Sequence, residues 1–87
     1  MTIATHVRGP YSVLTTLGAA VHHLWKAEDG TYLVTSSASN VLVSETIVFE
    51  SDANGEADVE NFRTLSTVGL DSHEEALKEA GYTASRP

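Results

Sequence analysis

Two β-rich runs, residues 21–26 and 31–37, are separated only by Ala27, Glu28, Asp29 and Gly30. A short connection ending in Asp-Gly commits its flanks to an antiparallel hairpin, because Asp and Gly adopt the positive φ angles that tight hairpin turns require. No other feature restricts the fold as much. In the second run Tyr32 and Val34 fall on one face, and Leu33 and Thr35 on the other. One of these pairs is expected to meet the core.

Further elements are read outward from that hairpin. Residues 2–7 suit a short edge strand, and Arg8-Gly9-Pro10 then marks a turn or loop. Residues 11–20 are ambiguous: Tyr11, Leu14, Leu17 and Val21 suit a helical face, whereas Val13, Thr15 and Thr16 favour a strand. The reading leans towards extended structure and leaves the choice open. Residues 36–40 are small and polar and read as a connection, followed by a strand over 41–50 where Val, Thr, Ile and Phe concentrate. Asn54-Gly55 supplies a turn, and a further strand is expected near residues 59–66. A helix is expected over 71–80, with Ser72 and Glu75 spaced as a capping box and Gly81 as its stop. Ala76, Leu77 and Ala80 form its narrow apolar face.

The expected fold class is therefore α+β, an antiparallel sheet of about four strands with one C-terminal helix packed against it. Residues 1–82 form a single small domain and 83–87 a mobile C-terminal tail. Strand order is left open.

At 87 residues the chain holds one domain. A domain of this size buries only about 60–65% of its unfolded surface, so stability is modest unless another copy or partner covers more, and homo-oligomerisation stays open. The absence of cysteine excludes disulfides and thiolate metal sites and favours a cytoplasmic location. The first ten residues lack the basic start and apolar run of a signal peptide. No apolar run approaches the roughly 20 residues that span a bilayer, so no membrane partner is expected. Twelve acidic against five basic residues give a net charge of −7, which repels phosphate backbones and argues against direct nucleic-acid binding. The same charge suits docking onto a basic protein surface.

Asp52, Asn54, Glu56, Asp58 and Glu60 alternate oxygen-bearing side chains in the manner of a calcium loop. Counted from Asp52, however, Gly55 falls at the fourth position instead of the sixth, and Arg63 stands at the twelfth, where an EF-hand needs a bidentate Glu. A solvated acidic turn is the better reading. His6, His22, His23 and His73 are the only soft ligands. His22 and His23 are adjacent, so on a strand they face opposite sides and cannot chelate one ion together. No Ser or Thr lies in a nucleophile motif, the glycines are scattered singly, and Glu74 and Glu75 are explained by helix capping. Neither a cofactor nor a metal nor enzymatic activity is expected. Trp25, Tyr32 and Phe49 lie on neighbouring strands as core residues, with Trp25 and Tyr32 also candidate interface anchors.

The histidine-bearing strand, the Asp-Gly turn, Glu45-Thr46-Ile47-Val48-Phe49, the turn from Asp52 to Glu56, Asp71-Ser72-His73-Glu74-Glu75-Ala76-Leu77 and Gly81-Tyr82 occur in an order that resembles small uncharacterised proteins of actinobacterial phages and their hosts. The resemblance implies a phage accessory protein that binds a host factor, acts in the host cytoplasm and has no catalytic residue to carry over. Residues 57–67 depart from the pattern in lacking a Trp after the Asn-Gly turn.

The leading expectation is a non-catalytic protein-binding module that modulates or inhibits a host protein through Asp52, Glu56, Asp58 and Glu60, with Trp25 and Tyr32 as apolar anchors. The alternatives are a self-assembling structural subunit of a virion, and a small-ligand-sequestering oligomer with a pocket lined by His22, Trp25 and Tyr32.

Overall fold

The computed structural model describes residues 2–15, 18–39, 44–57 and 64–86. In chain order they form β1 (Thr2–Thr15), β2 (Gly18–Ala27), β3 (Tyr32–Ser39), β4 (Ser44–Ser51), β5 (Ser66–Val68), α1 (His73–Glu79) and β6 (Tyr82–Ser85). The six strands make one sheet in the order β5-β4-β3-β2-β1-β6. Every neighbouring pair is antiparallel except β1 and β6, which run parallel from Thr2↔Tyr82 to Thr5↔Ser85. The chain is thus mostly sheet, a curled mixed half-barrel with one short helix, which corrects the α+β expectation of four antiparallel strands.

The sheet departs from expectation in three places. The expected turn at Arg8-Gly9-Pro10 lies inside a single 14-residue strand, where the register with β2 shifts on either side of Arg8. Gly9 makes this passage possible: its φ is +122°, and a Cβ there would stand 2.8 Å from the His22 carbonyl oxygen. Residues 83–85, expected in a mobile tail, form β6 and close the sheet beside β1. Residues 36–39, expected in a connection, continue β3, because ladder bonds to β2 and β4 on both sides outweigh the turn preference of Ser and Ala-Ser sequences. Of the expected strands over 41–50 and 59–66, residues 41–43 and 59–63 lie outside the described part.

Both faces of the sheet carry core. On the α1 side Ala4, Trp25, Ala27, Leu33 and Val48 pack with Ala76 and Leu77 of the helix. On the opposite side Leu24, Val34 and Phe49 pack with Tyr11, Tyr32, Ile47 and Ala57. Leu33, Val34 and Thr35 are all fully buried, so both faces of the hairpin's second strand meet the core rather than one. The turn after β4 accounts for this. A Cβ on Gly55, whose φ is +82°, would stand 2.8 Å from the Tyr11 hydroxyl and 3.7 Å from the Val34 side chain, so this turn lies close over the second face.

The helix is shorter than expected and its capping box is not made. Ser72 is the N-cap residue, yet its hydroxyl donates to the Leu70 carbonyl at 3.3 Å and forms no cap bond. Hydroxyls on the sheet do the capping from across the core: the Asp71 N–H donates to Ser37 Oγ at 2.9 Å and the Ser72 N–H to Thr46 Oγ1 at 3.3 Å. Ser37 Oγ returns a bond to Asp71 Oδ1, which pins Asp71 at φ +57°, a conformation that Asp tolerates better than most residues. Gly81 at φ +96° ends the helix, its N–H donating to the Lys78 carbonyl, and turns the chain into β6.

Candidate functional site

Three of the four histidines meet on the α1 side of the sheet. His6 on β1 and His23 on β2 share a ring-to-ring hydrogen bond, Nε2 to Nδ1 at 2.9 Å. The His73 ring, at the start of α1, lies 4.5 Å from that of His23, centroid to centroid. His73 Nδ1 is 2.8 Å from Thr35 Oγ1 on β3, and the same hydroxyl oxygen accepts the Trp25 indole N–H at 3.0 Å. The edge of Trp25 faces His6 at 5.0 Å between centroids, and the guanidinium of Arg86, just past β6, lies 5.3 Å from the Trp25 ring centre. Arg86 Nε also donates to Glu74 Oε1 at 3.1 Å. Strand periodicity sends His22 to the other face, where it packs edge-on against Tyr11 and Phe49.

This centre is built to stay uncharged. Burial, followed by His73, His6 and Arg86, lowers the His23 pKa to about 4 against the opposing pull of Glu74. Burial and Arg86 lower His6. Burial lowers His73 despite the opposing effects of Asp71 and Thr35, and lowers His22 with help from His73. The Thr35 hydroxyl is fully buried and occupied by Trp25 and His73, so it is not free to act as a nucleophile. Among the described residues no three His, Asp or Glu side chains are grouped to hold a metal ion. The reason at the cluster is geometric: the facing nitrogens of His6 and His23 point at each other instead of at a common third point.

The acidic turn is a second feature of the same molecule. Asp52 Oδ1 accepts the backbone N–H groups of Asn54 at 2.8 Å and Glu56 at 3.0 Å, and the Gly55 N–H closes the turn on the Asp52 carbonyl. Glu50, Ser51, Asp52, Glu56 and Ala57 surround a depression of about 350 Å³. Asp52 and Glu56 are both exposed there, while Asp58 and Glu60 lie outside the described residues. Tyr32 is half-buried on the face opposite α1, with the Lys26 ammonium 5.5 Å from its ring centre. Trp25 is fully buried on the α1 face and offers no surface to a partner. His22 and Tyr32 lie on one side of the sheet and Trp25 on the other, so the pocket expected from these three does not form within one chain.

Charge is distributed unevenly along the chain. All 12 carboxylates lie at or beyond Glu28, and the β1–β2 hairpin carries only Arg8 and Lys26. Among the described residues, β6 covers the outer edge of β1 at Thr2–Thr5 and no strand pairs with that edge beyond it. Leu14 on this stretch is 85% exposed.

No protein-family model, no curated protein and no solved structure matches this chain.

The histidine cluster is the feature that sequence spacing does not place. Its only local signal was the alternation of His22 and His23. The pairing of His6 with His23 depends on register shifts near Arg8 that no spacing announces.

Proposed function

We propose that the protein is a non-catalytic protein-binding module whose docking face is the acidic end of β4 and its following turn. The observation that carries this reading is the fixed turn itself. Asp52 holds two backbone N–H groups, so the carboxylates of Glu50, Asp52 and Glu56 surround one depression on a preorganised backbone instead of being dispersed on a mobile loop. Such a face suits a basic patch on a partner, with association that is fast and salt-sensitive. A phage accessory role, with a host protein as partner and the host cytoplasm as location, is the biological setting proposed for it.

The test is a tagged pull-down from host lysate, followed by binding kinetics on the enriched protein at low and high salt. Asp52→Asn and Glu56→Gln keep the turn's acceptor atoms and remove charge. The reading expects the association rate of the double variant to fall several-fold at low salt and to converge with wild type at high salt. Equal rates for both proteins at low salt would refute it.

Self-assembly is the second reading, favoured by the open outer edge of β1 beyond Thr5 and by the exposed Leu14 on it. A monomer by sedimentation equilibrium at millimolar concentration would remove it.

A further inference from the structure

The histidine cluster joins four parts of the fold: His6 from β1, His23 from β2, His73 from α1, and Arg86 immediately after β6. These parts are not held equally. Ala76 and Leu77 anchor α1 by complete burial. β6 is four residues long, pairs among the described residues only with Thr2–Thr5, and has no fully buried side chain, its Tyr82 and Ala84 lying half-buried against the core. Arg86 beyond it is fixed by its place over Trp25 and by a surface ion pair to Glu74.

We infer that the His6–His23–His73 cluster is a proton-operated latch, which holds β6 and Arg86 against the sheet and lets them go when the His6–His23 pair takes up a second proton.

The count of protons follows from the 2.9 Å contact. A ring-to-ring bond needs one N–H and one lone pair. In the neutral pair each imidazole has one hydrogen, and one of the two lies in the contact. A first added proton goes to an outer nitrogen of the donor ring, which leaves the contact intact. The second must go onto the accepting nitrogen, so that N–H faces N–H and the bond is lost. His73 can protonate without losing its bond, since Nδ1–H then donates to Thr35 Oγ1, which also accepts from Trp25; its charge adds to those beside it.

The charges facing the cluster determine what moves. β3 contributes the neutral Thr35. The α1 side contributes Glu74 and, just before the helix, Asp71, which favour protonated histidines. The residue after β6 contributes Arg86, the cation that opposes them at His6, His23 and His73. Repulsion is therefore relieved by withdrawing Arg86 and the short strand before it, while α1 keeps its buried face. Glu74, freed from Arg86, then stays to balance the histidines. Departure of β6 uncovers Thr2–Thr5 and makes the open edge of β1 continuous. Burial and the neighbouring cations place the His23 transition near 4, so the latch responds to acidic and not to neutral solution.

The experiment is residue-resolved amide hydrogen exchange, corrected for intrinsic rates, with the emission of Trp25, the single tryptophan, as a parallel signal. Exchange in β6 is expected to rise about tenfold or more between about pH 7.5 and about pH 4, while β3 and β4 amides stay protected. In His6→Gln, at a half-buried position, the side-chain oxygen can accept from a protonated His23, so the conflict disappears and the acid response of β6 is expected to be largely lost. Exchange in β6 that is independent of pH, or that rises only in step with β3 and β4, would overturn the latch in the unaltered protein. A full acid response in folded His6→Gln would overturn its mechanism.

Discussion

His6 Nε2 and His23 Nδ1 stand 2.9 Å apart across the β1–β2 pair, and a contact of this kind accommodates one proton but not two. The pKa values of all four histidines are lowered by burial in the folded chain, His23 from 6.5 to about 4. Below about pH 6.5 the unfolded chain therefore binds more protons than the folded one. Stability contributed by these groups is complete above that pH and is lost as the pH falls towards about 4. Denaturant unfolding is expected to show a loss on the order of 2 kcal/mol between about pH 7.5 and about pH 4.5. A flat profile over this range would contradict the burial of His23.

Thr35→Val tests the polar centre without changing its volume appreciably. The substitution leaves the buried Trp25 N–H without its acceptor and removes the partner of His73 Nδ1. A loss of about 2–3 kcal/mol is expected in equilibrium unfolding at neutral pH, against about 1 kcal/mol or less for Thr35→Ser, which keeps the hydroxyl.

Gly55→Ala places a methyl group 2.8 Å from the Tyr11 hydroxyl at a positive φ. A loss of about 1–3 kcal/mol is expected, with strain from φ and crowding from the phenol both contributing. Among the described residues the buried Tyr11 hydroxyl has no hydrogen-bond partner, so Tyr11→Phe removes the crowding at little cost. The double variant is expected to recover the steric part alone, and thermal melts of all four proteins would show whether the two changes interact.

Leu77→Ala tests the seating of α1. Leu77 is fully buried between the helix and the sheet, and its truncation is expected to cost about 2–5 kcal/mol. For a domain of this length that approaches the whole stability, so loss of the cooperative near-ultraviolet signal at room temperature is the expected reading.

The features legible in the sequence are those set by neighbours along the chain. The Asp-Gly hairpin joining β2 and β3, the Asn54-Gly55 turn and the Gly81 helix stop all depend on the backbone freedom of one or two residues. The opposed orientations of His22 and His23 follow from strand periodicity. Contacts between distant residues had no such signal. Ser36 and Ser37 favour turns when considered alone, yet lie buried in the middle of the sheet, where Ser37 anchors the backbone ahead of the helix. Tyr82 and Ala84 alternate with Thr83 and Ser85, but four residues directly after a helix stop are too few to mark a strand, and their pairing with Thr2–Thr5 makes them one. The histidine cluster combines both difficulties, requiring an unannounced register in β1 and a helix folded back over β3.

The parallel pairing of β6 with β1 also constrains the order of events on the ribosome. Of the six strands β1 emerges first, and the one that covers its Thr2–Thr5 edge emerges last. Until β6 emerges the nascent sheet therefore exposes that edge, and Trp25 lacks Arg86 above it. Completion waits for a contact of the longest sequence separation in the fold, which makes closure of this edge a late, slow step and gives the unfinished chain its longest exposure to strand-seeking neighbours.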